Sequence, residues 1–228
     1  MLQHLLTLAG ASFAALLPIA NPFSTAPLFV AITRHMPRKQ RMEQARMACI
    51  YMSAILLVTL LAGSLILKFF GISVEALRVA GGLIVAKIGF GMLSPTPEPK
   101  ISDEHQAAAM DTDNVAFTPL AMPMLSGPGS IAVTIGLTTG ASTPGEYLGI
   151  AAGIVLVAIV AWFVLRSATH VVDYLGPTGV TVLTRIMGLL LVCIGIVFIF
   201  DGILDSITEP KTMRLILDSI EQARQLHD

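Results

Sequence analysis

The sequence predicts an all-α polytopic membrane protein: six transmembrane helices forming two inverted three-helix repeats, with helices one and four broken by proline. Three observations lead there. Hydrophobic residues make up 54% of the 228 positions and charged residues 13%, whereas a soluble domain carries roughly 25% charged residues. Mean hydropathy is +0.78. Six apolar runs can cross a hydrocarbon core of roughly 30 Å once Pro and Gly are tolerated inside them. Finally, the pattern of prolines and glycines in the first half recurs in the second.

The spans fall at about 4–33, 47–67, 73–93, 116–138, 147–166 and 185–205. The first lacks a basic segment before its apolar run and is far longer than a signal peptide, so it reads as a retained anchor. Residues 1–93 form the first three-span repeat and 115–206 the second, within one membrane domain covering 1–228. Between them, 94–114 holds Pro95, Pro97, Pro99, Asp103, Glu104, Asp111 and Asp113, and reads as a polar cytoplasmic linker. The tail 207–228 mixes Met213, Leu215, Ile216, Leu217 and Ile220 with charges; it suits a surface-lying helix or a solvated segment. Arg34, Arg38, Lys39, Arg41 and Arg46 dominate the loop charge and set it in the cytoplasm, with both termini periplasmic.

The repeat is specific. Pro18, Ala20, Pro22 and Pro27 recur as Pro119, Ala121, Pro123 and Pro128 at an offset of 101 residues; Gly82 and Gly89 recur as Gly188 and Gly195 at 106. Each copy holds an odd number of spans, so the second enters from the opposite side. Every proline removes a backbone N–H and frees the carbonyl four residues earlier, which hydrocarbon cannot satisfy. Asn21, Ser24 and Thr25 accompany the first proline set, and Ser126, Gly127, Gly129 and Ser130 the second. Two broken helices meeting near the midplane would aim N–H groups, from half-helices beginning near Ser24 and Ser130, at a carboxylate. Freed carbonyls would take an ammonium group or a cation. The alternative is a pair of kinked helices whose prolines serve packing alone.

Five motifs then stand out: Leu17-Pro18-Ile19-Ala20-Asn21-Pro22, Leu77-Arg78-Val79-Ala80-Gly81-Gly82-Leu83-Ile84-Val85-Ala86, Pro119-Leu120-Ala121-Met122-Pro123, Gly127-Pro128-Gly129 and Arg185-Ile186-Met187-Gly188. In this order they resemble the MarC family of six-span bacterial inner-membrane proteins, over about residues 1–206. Ser126 departs from the alanine expected there. Some members resemble small neutral amino-acid transporters, and the wider superfamily includes amino-acid exporters. The resemblance therefore implies a membrane transporter more securely than it implies a substrate, and the antibiotic-resistance locus behind the family's name implies no resistance role.

Other polar residues have ordinary readings. Lys87 is set to snorkel towards the cytoplasmic end of its span, Glu75 and Arg78 can pair on one helix face, and Asp201 and Asp205 share a hydrated helix end. The glycine stripes serve close helix packing. Cys49 and Cys193 read as small core residues, and the five histidines show no metal-ligand spacing.

The function expected is secondary transport of small solutes, with neutral amino acids as the class. Asn21, Ser24, Thr25, Ser126, Gly127, Gly129 and Ser130 bind substrate, and Pro18, Pro22, Pro27, Pro119, Pro123 and Pro128 break the helices. The partners are the lipid bilayer, a small-molecule solute and a coupling ion, H+ or Na+; a homo-oligomer is left open. A net charge of −1 argues against nucleic acid. Catalytic residues, metals and cofactors are not expected. The rival readings are an accessory protein and an intramembrane redox or enzymatic protein. Neither proline segment holds a cysteine, and neither Ser24 nor Ser126 has a base nearby in sequence.

Overall fold

The computed structural model describes residues 2–93, 115–138, 141 and 143–208. The linker at 94–114 and the tail from 209 onward lie outside the described residues. Within them the chain is all helix: α1 (Leu2–Ala20), α2 (Pro22–Thr33), α3 (Arg38–Phe70), α4 (Val74–Leu93), α5 (Ala116–Leu125), α6 (Pro128–Thr138), α7 (Pro144–Arg166) and α8 (Ala168–Thr208). Five of these, α1, α3, α4, α7 and α8, are long and apolar enough to cross a membrane. Taken together as one broken span, α5 and α6, bent by 59°, bring the number of candidate spans to six. At 1.5 Å per residue, the 12 residues of α2 cover roughly 18 Å, so α2 is a half-length helix that continues from α1.

Local chemistry accounts for the helix ends. Gly71 takes φ 65 after α3, and its N–H and that of Ile72 close onto Lys68 and Leu67 carbonyls, a Schellman ending. Thr143 and Glu146 form a capping box ahead of α7, with Pro144 at the first helical position. Two helices run past the expected spans. The basic segment Arg38, Lys39, Arg41 and Arg46, expected in a loop, instead forms the first turns of α3, because Arg, Lys, Gln and Met are strong helix formers. Likewise α8 begins at Ala168 and bends at Gly176, whose φ is 65, just ahead of Pro177.

The helices pack through glycine. A methyl group added at Gly82 would lie 2.5 Å from the Gly195 carbonyl oxygen, and one at Gly89 would lie 2.7 Å from that of Gly188. This reciprocal order makes α4 and α8 antiparallel. Against α1, α7 runs parallel: a methyl at Gly149 would meet Leu8, and one at Gly153 would meet Ser12. The main packing pairs come in matched sets under exchange of the two halves: α1 on α7 with α5 on α3, α2 on α8 with α6 on α4, and α3 on α7 at the centre. Leu16, Phe29, Met52, Leu120, Ile154 and Leu191 fill the buried core. Large apolar side chains such as Phe69, Leu61 and Phe163 point outward, as a lipid-facing surface requires.

Candidate functional site

The first break lies at Asn21. A residue ahead of proline is pushed out of the helical region, and Asn tolerates the left-handed conformation better than most; here it has φ 31 and ψ 67. Its Oδ1 accepts from the Ser24 backbone N–H at 3.4 Å and caps α2. That bond fixes the amide's orientation, since the reverse would oppose two donors. The other end of the side chain, Nδ2, is buried and has no hydrogen-bond partner among the described residues. The Asn21 carbonyl is crowded with donors: Thr25 N at 3.3 Å, Ser24 Oγ at 3.2 Å and Thr25 Oγ1 at 3.2 Å.

The second break is wider. Thr118 and Met122, each preceding a proline, are extended inside α5, and the hydrogen bonds from Leu120 N to Val115 O and from Ser126 N to Ala121 O span five residues. Leu120 thereby satisfies the Val115 carbonyl that Pro119 frees. Ser126 Oγ donates to Ala121 O at 2.7 Å, and Ser130 Oγ to Leu125 O at 3.4 Å. Gly127, which has no side chain to cap with, precedes Pro128 at the start of α6. The half-helices thus begin at Pro22 and Pro128, two residues ahead of the expected Ser24 and Ser130. The prolines at the breaks are not repeat equivalents, because Pro22 corresponds to Pro123.

Gly129 links the two breaks. A methyl group there would meet Ile19 Cγ2 at 3.4 Å, Ile88 Cδ1 at 3.1 Å and Val85 Cγ2 at 3.7 Å. The start of α6 therefore sits against α1 two residues before Asn21, with α4 closing the side. Asn21, Thr25, Ser126, Gly129 and Ser130 are buried; Ser24 and Gly127 are half-buried. Of the helix-breaking prolines, Pro18, Pro22 and Pro119 are buried, Pro27 is half-buried, and Pro123 and Pro128 are exposed.

One residue escaped the sequence reading. Gln44 on α3 is buried, and its Oε1 accepts from the Val115 N–H at 3.0 Å, anchoring the start of α5. Its polar neighbours in sequence hid it; a glutamine at helical spacing from the buried Ala48 and Met52 was the available signal. Elsewhere, Arg78 pairs with Asp205 of α8, a partner 127 residues away. Lys87 is exposed, as snorkelling requires. Cys49 is buried, whereas Cys193 lies on the outer face and is not a core residue.

The model of the MarC family, integral membrane proteins, matches residues 6–207. Inner membrane protein MarC of Salmonella paratyphi B is 41% identical over 210 residues, covering 87% of this chain and 95% of the relative. Its namesakes from Citrobacter koseri and Escherichia coli are 39% and 40% identical over 209 residues, with the same coverage. No solved structure matches the chain. With five helices long and apolar enough to cross a membrane and relatives named for the inner membrane, this is a multi-pass protein of the bacterial inner membrane. By family match and by identity along nearly its whole length, the chain belongs to the MarC family.

Proposed function

We propose that the chain is a secondary transporter of small zwitterionic solutes, with neutral amino acids as the class, and that the two helix breaks form its binding site. The unpartnered Nδ2 of Asn21 carries this reading. A buried donor without an acceptor costs about 1–3 kcal/mol, and a ligand oxygen is its natural complement. The first-turn N–H groups of α6, preceded by a glycine with no side chain to cap them and packed against the same end of α1, offer further donors for a carboxylate.

The hydroxyls complete a zwitterion's requirements. The protons of Ser24, Thr25, Ser126 and Ser130 are committed to backbone carbonyls, so their oxygens face any ligand as acceptors suited to an ammonium group. Because five of the seven proposed contacts are buried, solute must enter by movement of one half against the other. The antiparallel α4 and α8 and the matched packing pairs support inverted halves able to rock in this way. Periplasmic termini and H+ or Na+ coupling belong to the same proposal, which assigns the chain no catalytic step.

Equilibrium binding of labelled neutral amino acids to the purified protein tests the site. Saturable binding by the wild type, lost in Asn21→Gly with unchanged yield, is the expected result. Unaltered binding in that variant would remove Asn21 from the site.

A further inference from the structure

A second site lies at one end of the bundle. Arg38, Lys39, Met42, Glu43 and Arg46 of α3 and Trp162 and Arg166 of α7 line an open groove of about 570 Å³. Four cations face one carboxylate there, and Glu43 is engaged by Arg46 at 2.6 Å. The N-terminal end of α3 adds a partial positive charge, with no acidic residue in its first turn to offset it. So much positive charge gathered around one groove calls for an anion.

Position identifies which anion. Arg38 opens one candidate span and Arg166 closes another, so the groove sits where hydrocarbon gives way to headgroups. Trp162, whose ring holds the Arg166 guanidinium 5.1 Å from its centroid, is the residue type that favours that level. Trp162 and Met42 give the groove an apolar wall, suited to a glycerol backbone and the top of an acyl chain beside a phosphate. We infer that this groove binds the phosphodiester headgroup of an anionic phospholipid, with Arg38, Arg46 and Arg166 as the phosphate ligands. The site is separate from the helix breaks and does not depend on the transport reading.

Trp162 is the chain's sole tryptophan and so reports on its own groove. The full chain is reconstituted in phosphatidylcholine vesicles containing, at equal mole fraction, nitroxide-labelled phosphatidylglycerol or equally labelled phosphatidylcholine, with the nitroxide near the glycerol end of one acyl chain. Phosphatidylglycerol is expected to quench Trp162 several-fold more strongly. The excess should fall as salt rises, and should vanish in an Arg38→Gln/Arg46→Gln variant, which keeps the Trp162 and Arg166 stack. Should that variant fail to insert, the salt titration on the unmodified chain decides. Equal quenching by the two lipids, or an excess insensitive to salt, overturns the inference. Loss of the excess on adding inorganic phosphate alone, at constant ionic strength, would make the ligand a free anion and overturn the lipid assignment.

Discussion

The Ser24 backbone N–H is held by Asn21 Oδ1 at 3.4 Å, while Nδ2 on the same side chain has no partner among the described residues. One end of the amide therefore caps a helix and the other stays available. The two roles separate by substitution. Asn21→Gly loses the cap at a cost of a few tenths of a kcal/mol but suits the left-handed backbone; Asn21→Ala costs about 0.5–2 kcal/mol for the cap and about 1–2 more for the conformation. Both variants also shed the buried unpaired Nδ2, which offsets about 1–3 kcal/mol, so thermal unfolding in detergent should place Asn21→Gly at or above wild type and Asn21→Ala well below Asn21→Gly. Solute binding should be lost in both. Equal stability of the two variants would mean that the left-handed turn is not maintained.

The α4 and α8 contact predicts a steep dependence on side-chain volume. Gly82→Ala and Gly195→Ala each place a methyl within 2.6 Å of a backbone oxygen on the partner helix, so each should destabilise by about 1–3 kcal/mol. Gly10→Ala and Gly91→Ala, with nothing within 4 Å, are the controls and should be neutral or slightly stabilising. Melting temperatures of the four variants would check this; similar values throughout would contradict the packing described.

Gln44 gives a sharper case. Gln44→Leu leaves the buried Val115 N–H without its acceptor, at an expected cost of about 1–3 kcal/mol. Amide exchange at Val115, followed by mass spectrometry, should accelerate in that variant, while exchange in α7 stays at the wild-type rate.

The Arg78 and Asp205 pair ties α4 to α8 near the end of the bundle, with Asp205 half exposed. An exposed pair of this kind contributes about 0–1 kcal/mol, so Arg78→Gln should lower the melting temperature only slightly, and less at high salt. A large loss would show that the pair is shielded by lipid or by another chain.

Much of this architecture was legible because proline and glycine act locally. Three prolines in one apolar run announce a break wherever the chain later packs, and glycines seven residues apart announce a close helix contact. Where the break falls was less legible. The first half breaks at Pro22 and the second at Pro128, because Asn21 can turn left-handed within one residue, whereas Thr118 and Met122 spread the irregularity over α5. Tertiary choices were the hardest. Arg78 had Glu75 within reach on its own helix, yet pairs with Asp205 across the bundle. The hydroxyls at the breaks turn to their own backbone, a competition that spacing alone does not settle. Arg38 to Arg46 read as loop because charge marks the water side of a membrane, although it does not stop a helix from continuing into water.

The most direct test of transport through the helix breaks is flux of labelled neutral amino acids into liposomes holding the purified protein, with and without imposed H+ and Na+ gradients. Saturable flux that responds to one gradient and disappears in Asn21→Gly, at equal incorporation, is the predicted result. Flux absent for every solute under every gradient, or unchanged by Asn21→Gly, would contradict it.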